Sequence, residues 1–294
     1  MIADTQLIEA LKGIVGDAHA MSFDAAPARQ YREWFASWIE RDRQPIALAM
    51  PASVEHVQHI VRLASRHGIV VMSTPNSTGV GANIGPSERQ ALLLDLSRMK
   101  RIVEFDDKSA YALLEPGVTF SELLTYINAN DLSYWTDCDR NGANSVCGSI
   151  CERAFGYTPY GDRILMQCGM EVVLANGEVM RTGMGALPGN NTWQLFKFNY
   201  GPYLDGLFSR ASNAIVTKIG LWMMPVPPKF HPFQIAMLGD EALGTAIELL
   251  RPHKIGMTIP NTVVISHRSA DNLLGPNAQV PSSAEWNLYG ALYG

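Results

Sequence analysis

The spacing of hydrophobic residues divides the chain into a helical lead-in, a region alternating between strand and helix, and a proline-interrupted final stretch. In the lead-in, residues 1–47, Tyr31, Trp34, Phe35, Trp38 and Ile39 lie three and four apart within Gln30 to Arg41. That spacing makes one apolar helical stripe, whose plainest role is packing on a neighbour. From Ile46 the pattern changes. Ala47-Leu48-Ala49-Met50 is a short apolar run closed by Pro51, and Ser53 is placed to cap a helix carrying Val54, Val57, Ile60, Val61 and Ala64. Gly68 stops that helix, and Ile69 to Met72 is a β-branched run that reads as a strand.

Farther on, Ala91 to Leu96 reads as a buried strand. Ile102 to Phe105 and Ala110 to Leu114 are two more, joined by the turn-forming Asp106-Asp107-Lys108-Ser109. Thr119 with Glu122 three residues later is a capping box, opening a helix with Phe120, Leu123, Leu124 and Ile127 on its apolar face. Asn176-Gly177 between Met170–Leu174 and Val179–Arg181 predicts a hairpin with a type I′ turn. Strands meeting strands beside helices place the chain in the α+β class. Pro225, Pro227, Pro228 and Pro232 mark a domain boundary. After it come a predicted helix over Glu241 to Leu250, a strand over Thr262 to Ile265 and an apolar segment from Trp286 to Tyr293. This final part is too short to enclose a core of its own and is expected to be a truncated domain.

Two segments stand out from the periodic background. The first follows a predicted strand and runs from Pro75 to Gly85, with Ser77, Thr78, Gly79, Val80, Gly81, Ala82 and Asn83 at its centre. Glycines and small hydroxyl residues let backbone N–H groups face outward as an anion-binding nest. It has neither the lysine of a P-loop nor the glycine spacing of a dinucleotide fingerprint. Taken alone it reads either as a tight structural loop or as a phosphate site. The second is Trp135 to Asp162, rich in Gly, Asn and Ser and almost without periodicity, which in a compact domain points to function.

Composition narrows the classes. The 294 residues are 47% hydrophobic and 17% charged, with a formal net charge of −5. Cores are affordable for about two domains, and no electrostatic pull toward nucleic acid or an anionic membrane is present. No run of about 18 apolar residues offers a membrane span. Met1 to Ile14 lacks a secretory h-region, so the expected location is cytoplasmic. Cys138, Cys147, Cys151 and Cys168 match no zinc spacing, and most of them read as buried, inert thiols. His56 and His59 lack a third ligand and read as surface residues on the first predicted helix.

Residues 51–233 resemble the FAD-binding domain of the vanillyl-alcohol oxidase and p-cresol methylhydroxylase family of flavoproteins. The resemblance rests on Gly156-Tyr157-Thr158-Pro159-Tyr160-Gly161-Asp162, on Met166 to Gly189, and on Tyr200 to Pro228. It implies an α+β, two-subdomain FAD-binding domain over residues 48–226, followed by the start of a substrate or cap domain over 233–294. The diphosphate would lie on Pro75, Ser77, Thr78, Gly79, Val80, Gly81, Ala82 and Asn83. Asp139, Arg140, Asn141, Ser145, Ser149 and Glu152 would lie near the flavin ring and ribityl chain. Tyr157 and the backbone of Ile215 and Val216 would close the adenosine side. The implied reaction is oxidation of a 4-alkylphenol or aromatic alcohol, hydride passing from the benzylic carbon to flavin N5 and leaving a quinone methide. A cytochrome subunit or oxygen is the implied acceptor, and a homo-oligomer the implied assembly.

Four positions depart from the family pattern: Ile84 where a phenolate-contacting tyrosine is usual, Ser149 for Asn, Ala154 for Gly, and Asp139-Arg140-Asn141 in the loop near N5. Asp139 as a base and Arg140 as a charge partner for reduced flavin form the catalytic reading; a solvated loop pair is the other. A non-catalytic flavin-binding module and a flavin oxidase of a non-phenolic alcohol are the alternative functions.

Overall fold

The computed structural model describes residues 2–31, 44–76, 90–138, 142–198, 201–273 and 284–294. The apolar stripe of the lead-in lies largely outside them; Tyr31, its described member, is buried and donates its hydroxyl to Asp95. Three larger sheets and one two-stranded sheet organise the described residues. The first combines β1 (Ala20–Ser22), β2 (Ala47–Ala49), β3 (Val70–Thr74) and β4 (Ala91–Asp95) in the order β1-β2-β4-β3, with β2 and β3 both parallel to β4. Helix α1 (Asp4–Val15) and helix α2 (Val54–His67) pack against it. Ser53 accepts the His56 N–H as the cap, and Val57, Ile60, Val61 and Ala64 form the buried face, as the spacing predicts. Each of the three larger side chains contributes about 1.5–3 kcal/mol by leaving water.

The second sheet is antiparallel throughout, in the order β5-β6-β10-β8-β9. Its strands are β5 (Ile102–Asp106), β6 (Tyr111–Leu114), β8 (Gln167–Leu174), β9 (Val179–Arg181) and β10 (Ala214–Trp222). Helix α3 (Phe120–Ala129) covers it behind the full capping box of Thr119 and Glu122. Phe120, Leu123 and Ile127 are buried, whereas Leu124, expected on the same face, is 43% exposed. One register step off the stripe is enough to turn it to solvent.

The β8–β9 hairpin departs from the expected two-residue turn. Its loop is Ala175–Gly177: the Gly177 N–H bonds to the Leu174 carbonyl, and the Leu174 N–H bonds to the Glu178 carbonyl. Gly177 alone takes a positive φ, 78°, which is the three-residue arrangement rather than a type I′ turn. The Gly177 carbonyl accepts from Gln58 and Arg62, so α2 ties the two sheets together. Val173 and Ile215 of the second sheet accordingly enter the core of the first.

The third sheet, β12-β14-β13, is built from β12 (Phe230–Met237), β13 (Val264–His267) and β14 (Trp286–Tyr293). Pro232, expected to interrupt structure, lies inside β12; that strand is at the sheet edge, where a missing N–H is tolerated. Helix α5 (Gly239–Ile255) extends beyond the predicted helix at both ends and buries none of its residues. Trp135 of β7 (Tyr134–Trp135), which pairs with β11 (Met224–Pro225), meets Phe230 and Tyr293 edge-on, at ring separations of 5.1 and 6.2 Å, joining this sheet to the rest. Among the described residues no helix is long and apolar enough to cross a membrane.

Candidate cofactor site

Parallel strands β2, β3 and β4 end on one side of the first sheet, where an open α/β arrangement commonly receives ligands. Strand β3 leaves through Thr74, Pro75 and Asn76, directly before the glycine-rich segment. The Thr74 hydroxyl donates to the Asn76 carbonyl at 2.5 Å, and the Asn76 side-chain amide donates to the Ala143 carbonyl at 3.0 Å. The end of β3 is therefore fastened to the second informative segment.

Within that segment lies a helix that periodicity did not reveal, α4 (Val146–Cys151). Six residues are too few to display a repeat. Ser145 caps it, accepting from the Gly148 N–H at 2.9 Å while donating to the Pro116 carbonyl at 2.5 Å. Ser149 is fully buried and accepts from Arg163, whose other donors reach the Asp137 carbonyl at 2.6 and 3.1 Å. Both serines are thus engaged with protein, and their hydroxyls shape α4. The Asp137 carboxylate accepts from the N–H groups of Tyr157 and Thr158 and from the Thr158 hydroxyl.

Pro75, Glu152 and Val216, drawn from three separated segments, line one cavity of about 310 Å³. Cys147, Gly148 and Cys151 of α4 form one wall, and Leu96, Pro116, Phe208, Arg210 and Ala214 complete most of the remainder. The volume falls at the small end of ligand sites, about 300–1,000 Å³. Ile215 does not line it: successive strand residues point to opposite faces, and Ile215 instead faces a groove against Val61, Ala64 and Ile69. Tyr157 is 47% exposed and is not brought to the cavity. Ser77, Thr78, Gly79, Val80, Gly81, Ala82, Asn83 and Ile84, and likewise Asp139, Arg140 and Asn141, lie outside the described residues.

The lining suits a dinucleotide. Only one carboxylate, Glu152, lies among the described lining residues, and Arg210 pairs with it at 3.6 Å, so no net negative charge opposes a diphosphate. Leu96, Phe208 and Val216 form an apolar wall beside these polar groups. The Cys147 thiol is pushed up by its hydrogen bond with Cys151 and by burial, which keeps it protonated. Sequence reasoning missed Arg210 and the two thiols. The four-residue interval between Cys147 and Cys151 behind a serine cap was the available signal for the helix wall.

Residues 45–183 match the FAD binding domain family. The 4-cresol dehydrogenase [hydroxylating] flavoprotein subunit of Pseudomonas putida is 40% identical over 273 residues, covering 85% of this chain and 52% of the relative. The crystal structure of p-cresol methylhydroxylase with substrate bound superposes with a TM-score of 0.84 at 36% identity, covering 99% of this chain and 60% of that one. The 4-ethylphenol oxidase from Gulosibacter chungangensis, in its isoeugenol complex, gives 0.88 at 31% identity with the same coverage. The chain spans about half the length of the Pseudomonas relative.

Proposed function

The chain belongs to the FAD-binding flavoproteins of the p-cresol methylhydroxylase type, and we propose that it works as the flavin-holding part of an oxidoreductase for 4-alkylphenols or related aromatic alcohols. The observation that carries this reading is the convergence of Pro75, Glu152 and Val216 on one cavity beside the exit of β3. Residues 48–226 form the flavin unit in this reading, and residues 233–294 begin the substrate or cap domain. The separately hydrogen-bonded β12-β14-β13 sheet supports that division.

Bound FAD supplies the two-electron acceptor that takes hydride from the benzylic carbon, leaving the substrate as a quinone methide. The chain's own residues do the holding and orienting. Main-chain N–H groups of Ser77 to Asn83, issuing from Pro75, neutralise the diphosphate in the manner of a nest. Ser145 and Ser149 keep α4 in place through the Pro116 carbonyl and Arg163, presenting Gly148, Cys151 and Glu152 to the cofactor. The backbone of Val216, at the cavity wall, serves the adenosine side. Asn141 adds an amide near the ring. Asp139 is the proton acceptor and Arg140 the charge partner, both carried by the segment that follows the anchored Asp137 carbonyl. Leu96, Phe208 and Val216 supply the apolar part of the cavity wall. A small phenolic substrate, a cytochrome subunit as acceptor, a homo-oligomeric assembly and a cytoplasmic location complete the proposal.

Anaerobic mixing of the FAD-loaded protein with 4-methylphenol, 4-ethylphenol or vanillyl alcohol tests it. Loss of the visible flavin absorption within the mixing experiment, restored by a c-type cytochrome or oxygen, is the expected result. Bleaching by hydroxy acids but by none of the phenols would replace the substrate class. No bleaching by any reductive substrate would leave a flavin-binding module without catalysis.

A further inference from the structure

We propose that Arg210 is a recognition residue for the FAD diphosphate, held by Glu152 until the dinucleotide enters. This assignment deepens the FAD reading above and rests on it. A diphosphate brings two negative charges into a cavity walled partly by apolar Leu96, Phe208 and Val216, and backbone N–H groups supply only partial positive charge. Among the described lining residues the single full positive charge is the Arg210 guanidinium. Arginine stays protonated and presents five donors in a fork that fits phosphate oxygens.

Other nearby guanidiniums are already committed. Arg163 is buried, with its nitrogens on Ser149 and the Asp137 carbonyl. Arg153 donates to the Ser209 hydroxyl at 3.0 Å. Arg210 is different. Its Nε lies 3.6 Å from Glu152, and the two side chains are 65% and 33% exposed, so the pair is loose and solvent-screened. A phosphate can compete for the guanidinium at small cost.

The backbone holds the residue at the cavity wall. Arg210 sits at φ 51°, in the left-handed region, and its N–H bonds to the Cys151 carbonyl at 3.0 Å. A bulky side chain in this conformation is uncommon, and such strain gathers where a ligand is clamped. The hydrogen bond ties Arg210 to the last residue of α4, the helix that walls the cavity.

Binding of FAD, ADP, riboflavin and adenosine to the intact chain and to Arg210→Asn tests the assignment, with circular dichroism as the control for folding. Asparagine tolerates the left-handed backbone, so the variant removes the charge and keeps the turn. FAD and ADP should each bind about tenfold more weakly or worse, while riboflavin and adenosine change by less than about twofold, as expected for loss of a charge-assisted contact to phosphate. Arg210→Lys should recover part of the loss. The wild-type affinity for ADP should also fall more steeply with added KCl than that of the variant. A folded Arg210→Asn protein with unchanged affinity for FAD and ADP would overturn the assignment, as would equal weakening of all four ligands. A folded wild-type chain that binds no flavin would instead remove the FAD reading on which the assignment stands.

Discussion

Asn76 donates its side-chain amide to the Ala143 carbonyl at 3.0 Å, joining the end of β3 to the lead-in of α4. The two residues are distant in sequence, and each borders a segment assigned here to the cofactor. Asn76 is buried, and its own carbonyl accepts from Thr74, so the strand exit is fixed on both sides. Replacing Asn76 with Ala leaves the Ala143 carbonyl without this donor. Urea unfolding should register a loss of about 1–2 kcal/mol, and FAD affinity should fall several-fold because the strand exit and α4 are no longer held in register. Unchanged stability together with unchanged affinity would show that this bond does not organise the site.

Gly156 faces the Asp137 carboxylate so closely that an added Cβ would lie 2.1–2.2 Å from its atoms. That carboxylate is the acceptor for Tyr157 and Thr158. Gly156→Ala should therefore displace Asp137 and break part of this turn. An overpacking cost of about 1–3 kcal/mol is expected in chemical denaturation, with the helix content of the far-ultraviolet spectrum retained. Asp137→Ala, which removes the obstruction, should make the Gly156→Ala cost smaller in a double-mutant cycle.

Glu171 is buried in the second sheet between Lys218 at 2.7 Å and Arg181 at 2.8 Å. Burial pushes its carboxyl up, but the hydrogen bonds and charges of Lys218 and Arg181 outweigh that effect and hold it below the ordinary 4.5. The native carboxylate therefore contributes stability that is fully present above pH 4.5 and is lost as pH falls through its lowered value. Glu171→Gln should cost about 3 kcal/mol at neutral pH, since it uncovers partners of a buried pair. The gap between wild type and variant in the urea midpoint should narrow as pH drops below 4.5. A gap independent of pH would contradict the assignment of this network.

Cys147 and Cys151 both line the proposed FAD cavity, Cys147 fully enclosed and Cys151 partly open. Because its hydrogen bond with Cys151 and burial raise the Cys147 thiol, this residue should react slowly with iodoacetamide at neutral pH. Cys151 should react faster, and saturating FAD should protect it. Peptide mass spectrometry separates it from Cys138. Equal labelling of Cys151 with and without FAD would place the cofactor elsewhere.

Local chemistry in the sequence was enough to identify elements whose signals are short-range. Ser53 with the Val57–Ala64 stripe, and Thr119 with Glu122, specify their helices through contacts within a few residues. The exposed Leu124, the three-residue loop at Gly177 and the edge-strand Pro232 differ because sheet packing and hairpin register decided them. The site is governed even less locally. Ser145 and Ser149 read as polar cofactor ligands, yet their hydroxyls are spent on Pro116, the Gly148 N–H and Arg163. Arg210 gives no signal until folding sets it across from Glu152. Pro75, Glu152 and Val216 were named through family resemblance, and folding brings the three to one cavity.

Direct titration of the folded chain with FAD tests the central claim most plainly. Flavin fluorescence should be quenched to one equivalent per chain, the yellow absorption should travel with protein through gel filtration, and the melting temperature should rise with FAD concentration. At a hundredfold excess over Kd the added stability should be about 2.7 kcal/mol. A correctly folded chain that leaves FAD fluorescence, elution and its own melting temperature unchanged would contradict the account.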